Sequence, residues 1–241
     1  ALVAPQSVVA GTAFITCTFT NGKTFVYKMK NATDWQAGGE YTYTVSLAAA
    51  KDPGYTIEGN GSYTVTSADG LMHVADLVNG GKTDINITLD KNIDLTGKDW
   101  TPIGTSFDNS YKGTFDGGGH TISGLNLTGS YSPAGLFAVI LSGGSVEDLN
   151  VAGSVAAAGD KIVAGGIAGE NYGRIVCCSF TGMVQGSAQI GGIAGVNRVS
   201  GQIISGTFDG KVQATNATGG IAGLNEGICL LYTSPSPRDC S

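Results

Sequence analysis

The pentapeptide Gly165-Gly166-Ile167-Ala168-Gly169 recurs at Gly191-Gly192-Ile193-Ala194-Gly195 and again at Gly219-Gly220-Ile221-Ala222-Gly223, at steps of 26 and 28 residues. A degenerate copy, Ala134-Gly135-Leu136-Phe137-Ala138, precedes them. Around these copies further columns align. Val146, Ile175 and Ile203 match, as do Leu149, Cys178 and Gly206. Val151, Phe180 and Phe208 follow, then Gly153, Gly182 and Gly210, then Val155, Val184 and Val212. Apolar columns at fixed offsets, broken by Gly columns, describe one coil per copy. A single coil cannot bury its own apolar side, so the copies must stack. Residues two apart on a strand share a face, so Leu149 and Val151 are predicted to point inward together. The Gly columns are read as sharp turns with positive φ or as close approaches between coils. Asn171, Asn197 and Asn225 form another column, read as turn residues able to stack in a hydrogen-bonded ladder.

Composition agrees. Gly contributes 39 of 241 residues, about 16% against a usual 7%. Charged residues are only 13% of the chain, which excludes a coiled coil or helical bundle. A net charge of −6 with 41% apolar residues argues against disorder, and there is no Gly-X-Y period for collagen. The acidic balance argues against nucleic acid as a partner. No apolar run approaches a membrane span. No secretion signal is visible after Ala1, which says little if the chain is a fragment.

Upstream of the repeats the pattern changes. Phe14–Phe19 and Thr24–Met29 flank Asn21-Gly22, a strong hairpin signal. Tyr41–Leu47 alternates apolar and polar residues and is predicted as a third strand. Pro5-Gln6, Asn21-Gly22-Lys23, Trp35 and Gly39–Thr44 resemble the C-terminal end of a fimbrillin-like domain. That resemblance implies residues 1–50 are the remnant of a β-sandwich from a Bacteroidetes surface protein, of a kind often lipid-anchored. In Ser67–Asn79, Leu71, Val74, Ala75 and Val78 lie at helical spacing, with Gly80-Gly81 as a stop. A capping strand and helix over about 56–80 are therefore expected before the first short strands, because an open solenoid end exposes edges and core.

The copies resemble GLUG motifs, with Gly166-Ile167-Ala168-Gly169 and its two repeats in the naming positions. Trp100–Gly104, Gly113–Gly117 and Thr121–Gly124 are similar to the region that often precedes such repeats. The resemblance covers roughly residues 56–228 and implies a right-handed parallel β-helix at a cell surface, without implying an activity. It also implies that Cys178 is a buried ladder residue. Ile167, Ile193 and Ile221 replace the naming Leu, and Ala138 replaces the second Gly of the degenerate copy.

Cys229–Asp239 resembles a translated sequencing adapter. Residues 229–241 are accordingly set apart, and 51–228 is expected to be the solenoid. Three cysteines then remain, Cys17, Cys177 and Cys178, with no disulfide framework and no CxxC metal spacing.

Parallel β-helices can carry glycoside chemistry, which needs carboxylates converging from neighbouring coils. In the aligned coils Glu147 shares a column with Val176 and Ile204, and Asp148 with Cys177 and Ser205. Asp209 shares one with Thr181 and Ala152, and Glu170 with Val196 and Leu224. No carboxylate stacks on another there. Asp84, Asp90, Asp94, Asp99, Asp108 and Asp116 crowd the first coils and are read mainly as turn and cap residues, with a Ca²⁺ or carbohydrate site as the alternative. His73 and His120 have no HExxH or GxSxG context. Five N-x-S/T triplets, starting at Asn31, Asn60, Asn86, Asn126 and Asn216, are read as incidental. The expectation is an all-β protein with no catalytic, cofactor or metal residues. It would act as an adhesin or stalk outside the outer membrane, with a glycan or protein partner. A carbohydrate-active enzyme or its ancillary module is the alternative.

Overall fold

The computed structural model describes residues 6–18, 24–39, 41–42 and 52–231. Its main body is a parallel β-solenoid. The later coils pass through four sheets. One stacks Ser145–Glu147, Arg174–Val176, Gln202–Ile204 and Ile228–Leu230. The second stacks Thr121–Gly129, Asn150–Ala157, Ser179–Gln185 and Thr207–Gln213. A narrow third carries Ala164–Gly165, Gln189–Gly191 and Ala217–Gly219. The fourth carries Phe137–Ile140, Ala168–Asn171, Ala194–Asn197 and Ala222–Asn225. The first sheet continues back through Thr114–Asp116 and Ile87–Leu89 to Tyr63–Val65. These seven parallel strands make six turns among the described residues.

The column register read from sequence is the register of the ladders. Val146 pairs with Ile175 and Ile175 with Ile203. Val151, Phe180 and Phe208 stack, as do Gly153, Gly182 and Gly210, and Val155, Val184 and Val212. Val146, Leu149, Val151, Ile175, Cys178, Phe180 and Ile203 are all buried. The Asn column forms the ladder: Asn171 Nδ2 donates to Asn197 Oδ1 at 2.8 Å, and Asn197 Nδ2 to Asn225 Oδ1 at 2.7 Å.

Two kinds of glycine emerge from what looked like one. Gly182 has φ +138° and stacks on Gly153, so this column needs both the conformation and the space. None of the glycines in the three perfect pentapeptides has positive φ. There the missing side chain makes room. A Cβ on Gly166 would strike the Phe180 ring, and one on Gly192 would strike Phe208. The second Gly and the Phe column are thus two halves of one packing unit, each ring filling the space left by the glycine that precedes it across the coil.

The turn between the first and second sheets uses a left-handed residue that is not glycine. Asp148, Cys177 and Ser205 have φ of 48°, 51° and 53°. This conformation turns consecutive side chains apart. Cys178 is buried, whereas Cys177 is disulfide-bonded, which corrects the expectation that the cysteines supply no cross-link.

The helix Ala68–Asn79 begins at Ser67, whose Oγ accepts from Gly70 N at 3.2 Å, and buries Leu71, Val74, Ala75 and Val78 as its spacing predicts. The strand Tyr55–Ile57 lies antiparallel to Tyr63–Val65 and starts the first sheet. Trp100 Nε1 donates to Leu136 O at 3.2 Å and ties the following loop to the coil above. Near the chain start, Ala13–Thr18 and Thr24–Lys28 are antiparallel, as expected around Asn21-Gly22. Gln6–Val8 and Thr33–Trp35 form a second antiparallel pair that the sequence did not suggest. The predicted strand Tyr41–Leu47 lies largely outside the described residues. At the other end, Ile228–Leu230 runs across the expected boundary at 228, with Cys229 in register with Ile203. Ladder pairing uses backbone groups, so the first residues of the adapter-like stretch extend the sheet.

Candidate functional site

The first coils, which could not be aligned from sequence, hold a feature missed there. Asp116 is the ladder neighbour of Glu147, and Asp148 follows Glu147 directly. So a carboxylate does stack on a carboxylate, one coil before the region where the alignment could be checked. The missed signal is the three-residue match of Thr114-Phe115-Asp116 to Ser145-Val146-Glu147, which the Gly-rich turn after Asp116 obscured.

A shallow cavity of about 370 Å³ opens at this corner, lined by Gly118, Gly119, Asp148, Asn150 and Cys177. Burial, reinforced by the charges of Asp116 and Glu147, raises the Asp148 carboxyl above its ordinary value. Asp116 Oδ1 accepts from Gly118 N at 2.8 Å, and Glu147 Oε1 accepts from Ser145 Oγ. Asn150 Nδ2 donates to Gly119 O at 3.0 Å, while its Oδ1 accepts from Ser179 Oγ at 2.6 Å. The corner can hold a polar ligand but is already well bonded within itself. Among the described residues, no group of three or more His, Cys, Asp or Glu side chains is arranged to hold a metal ion.

The other aspartates of the first coils do not converge. Asp84, Asp90, Asp94, Asp99 and Asp108 are exposed. Asp94 Oδ1 accepts from Thr96 N at 2.9 Å, and its hydrogen bonds with Thr96 hold its carboxyl below the ordinary value. It sits in the second sheet, beside Ser123, while Asp116 is in the first. His73 stacks on Tyr55 with ring centroids 4.6 Å apart, a cap contact. His120 carries a turn hydrogen bond from its N–H to Gly117 O at 2.8 Å. Cys178 is a buried thiol, its pKa pushed up to about 12 by burial, so it is no nucleophile.

The outer side of the second sheet is different in kind. Asn150, Ser179 and Thr207 stand in register, and so do Ala152, Thr181 and Asp209, then Ser154, Met183 and Lys211, then Ala156, Gln185 and Gln213. These columns alternate with the buried Val151–Phe180 and Val155–Val184 pairs. They form a mainly polar surface, exposed at Thr181, Gln185, Thr207, Asp209, Lys211 and Gln213 and half-buried at the other positions.

No family model matches the chain. It is 27% identical over 214 residues to Halomucin of Haloquadratum walsbyi, an alignment covering 79% of this chain and 2% of that protein. It is also similar to a crystal structure from Bacteroides ovatus, provisionally assigned as an immunoglobulin A1 protease. The TM-score is 0.58 at 25% identity, covering 73% of this chain and 58% of that one. The chain thus spans a small fraction of the first and little more than half of the second.

Proposed function

We propose that this chain is a non-enzymatic stretch of an extracellular surface protein, an adhesin or stalk whose solenoid presents binding surface. The observation that supports the reading most is the register of outward polar columns on the second sheet, repeated over Asn150–Ala157, Ser179–Gln185 and Thr207–Gln213. Stacked coils hold such groups at fixed spacing and offer an extended face without ordering entropy at the moment of contact. Similarity to a very long mucin-named protein and to a Bacteroides protein agrees with a location outside the cell. The GLUG-type repeats and the fimbrillin-like start belong to the same proposal.

The test is adhesion. The full chain, immobilised on beads, is expected to retain on mucin, glycan or protein surfaces, and to lose retention when Thr181 and Gln185 are changed to Glu. A second reading, a carbohydrate-active enzyme or other hydrolase or an ancillary module of one, is favoured by the provisional protease assignment of the structural neighbour and by the Asp116–Glu147 pair. Peptide or glycan turnover abolished by Asp116→Asn or Glu147→Gln would replace the first reading with the second.

A further inference from the structure

Away from the polar columns and the acidic corner, one more cluster stands out where the fourth sheet turns into the first. Phe107 is 64% exposed there, an unusual state for a phenyl ring. Its loop is held in place. Asn79, at the end of the helix, accepts through Oδ1 from Gly104 N at 2.8 Å and Thr105 N at 3.2 Å. Asn109 Nδ2 donates to Asn79 O at 2.7 Å, and Ser110 Oγ donates to Phe107 O at 2.9 Å. The ring is therefore presented by a braced turn.

Phe107 meets Tyr172 edge to face, with centroids 6.2 Å apart and planes at 83°. Tyr172 is itself clamped. Its hydroxyl donates to Glu170 Oε2 at 3.0 Å, and the Arg198 guanidinium lies 5.7 Å from its ring centroid. Arg198 Nε donates to the same Glu170 Oε2 at 3.0 Å, and Nη1 lies 3.8 Å from Glu226 Oε2. Two rings at right angles, a guanidinium and a carboxylate thus share one corner, each fixed before any ligand arrives.

We propose that this corner, Phe107 with Tyr172, Arg198 and Glu170, binds one neutral pyranose ring of a glycan, an inference that rests on the surface-binding reading above and names its ligand class. A pyranose has an apolar face of C–H groups and a rim of hydroxyls. The slightly positive C–H groups suit the negative face of an aromatic ring. Each hydroxyl both donates and accepts, and the corner supplies an N–H donor and a carboxylate acceptor beside the rings. Glu170 and Glu226 outnumber Arg198 by one charge, which disfavours an acidic sugar. Rigid aromatic anchors lose little entropy on binding, which suits weak contacts multiplied along a surface.

The test uses the full chain on a printed array of neutral hexose and N-acetylhexosamine oligosaccharides, beside sialylated and uronate-containing ones. Neutral glycans should be retained. Phe107→Ala and Tyr172→Ala should each lower retention about tenfold, the loss of roughly one good contact. Phe107→Trp should keep it, and Lys91→Ala, at an exposed turn that belongs to neither binding surface, should leave it unchanged. The thermal melt of Phe107→Ala should match the parent, because the ring is exposed. Neutral-glycan retention that survives Phe107→Ala overturns this site while leaving surface binding intact. Retention confined to acidic glycans overturns the ligand class. A protein partner lost with Phe107→Ala, or no retention on any glycan, overturns the inference. The broader reading falls only if the bead assay on mucin and protein surfaces also fails.

Discussion

Asn197→Ala isolates what the asparagine ladder contributes. Asn197 is fully buried. Its Nδ2 donates to Asn225 Oδ1 at 2.7 Å and to Ile228 O at 3.1 Å, and its Oδ1 accepts from Asn171 Nδ2 at 2.8 Å. Alanine removes these three bonds and a fourth, from Nδ2 to Gly201 O at 3.4 Å, and leaves Asn171 Nδ2 only its 3.3 Å bond to Gln202 O. A buried polar group stripped of its partner costs about 1–3 kcal/mol, and a small cavity adds to it. The expected loss is about 3 kcal/mol. With a urea m-value of about 2 kcal/mol/M, the midpoint should fall by roughly 1.5 M. Asn225 belongs to the same column but is exposed, and Asn197 Nδ2, which loses it as acceptor, keeps Ile228 O at 3.1 Å. Asn225→Ala should therefore cost less than about 1 kcal/mol. The assay is urea unfolding followed by far-UV circular dichroism, with hydrogen exchange to locate which coils open. Equal losses for the two variants would refute the argument, since the ladder would then act through its backbone turn and not through burial.

Phe208→Asp should destabilise the last coils by more than about 2 kcal/mol, because it places a charge in the inward column beneath Phe180. Ser205→Asp should stay within about 0.5 kcal/mol, since Asp148 already takes the same left-handed turn, whereas Ser205→Val should cost about 1–2 kcal/mol; urea midpoints read all three. Gly192→Ala drives a methyl into the Phe208 ring and should cost about 1–3 kcal/mol in the same assay, while Gly220→Ala, with nothing within 4 Å, should be nearly neutral. The raised Asp148 carboxyl means the folded protein binds this proton more tightly than the unfolded chain, so stability falls as pH rises from the ordinary carboxylate range through the raised value. Asp148→Asn should accordingly raise the melting temperature at neutral pH, with the gain shrinking once the buffer is acidic enough to protonate Asp148 in both states. Asp94, held low by its bonds with Thr96, works in the opposite sense: its contribution is present above the ordinary range and lost as pH falls.

Much of the repeat region was legible because a solenoid turns three-dimensional neighbours into a fixed sequence offset. The Phe180–Phe208 and Val184–Val212 partners are each 28 residues apart, and a column alignment finds them without coordinates. The helix over Ala68–Asn79 was legible for a local reason, its apolar spacing and its Ser67 cap. The acidic corner was not. The step from Asp116 to Glu147 is 31 residues, longer than the later steps, and the loops between carry no repeated glycine pattern to anchor an alignment. The braced position of Phe107 was invisible for a different reason. It depends on Asn79, a residue 28 positions earlier in another element, whose side chain could serve many roles until the fold brings it to the loop.

Sequence alone determined the approximate period, the inward columns and the stacking register, because parallel pairing gives all the columns of one sheet a common offset between two coils. Tertiary structure decided which glycines turn and which make room. Gly182 carries a φ that other residues resist, while Gly166 has an ordinary backbone and is held small by the ring of Phe180. The composition of a column records that no side chain is tolerated. Only the neighbouring coil shows whether strain or contact is the cause.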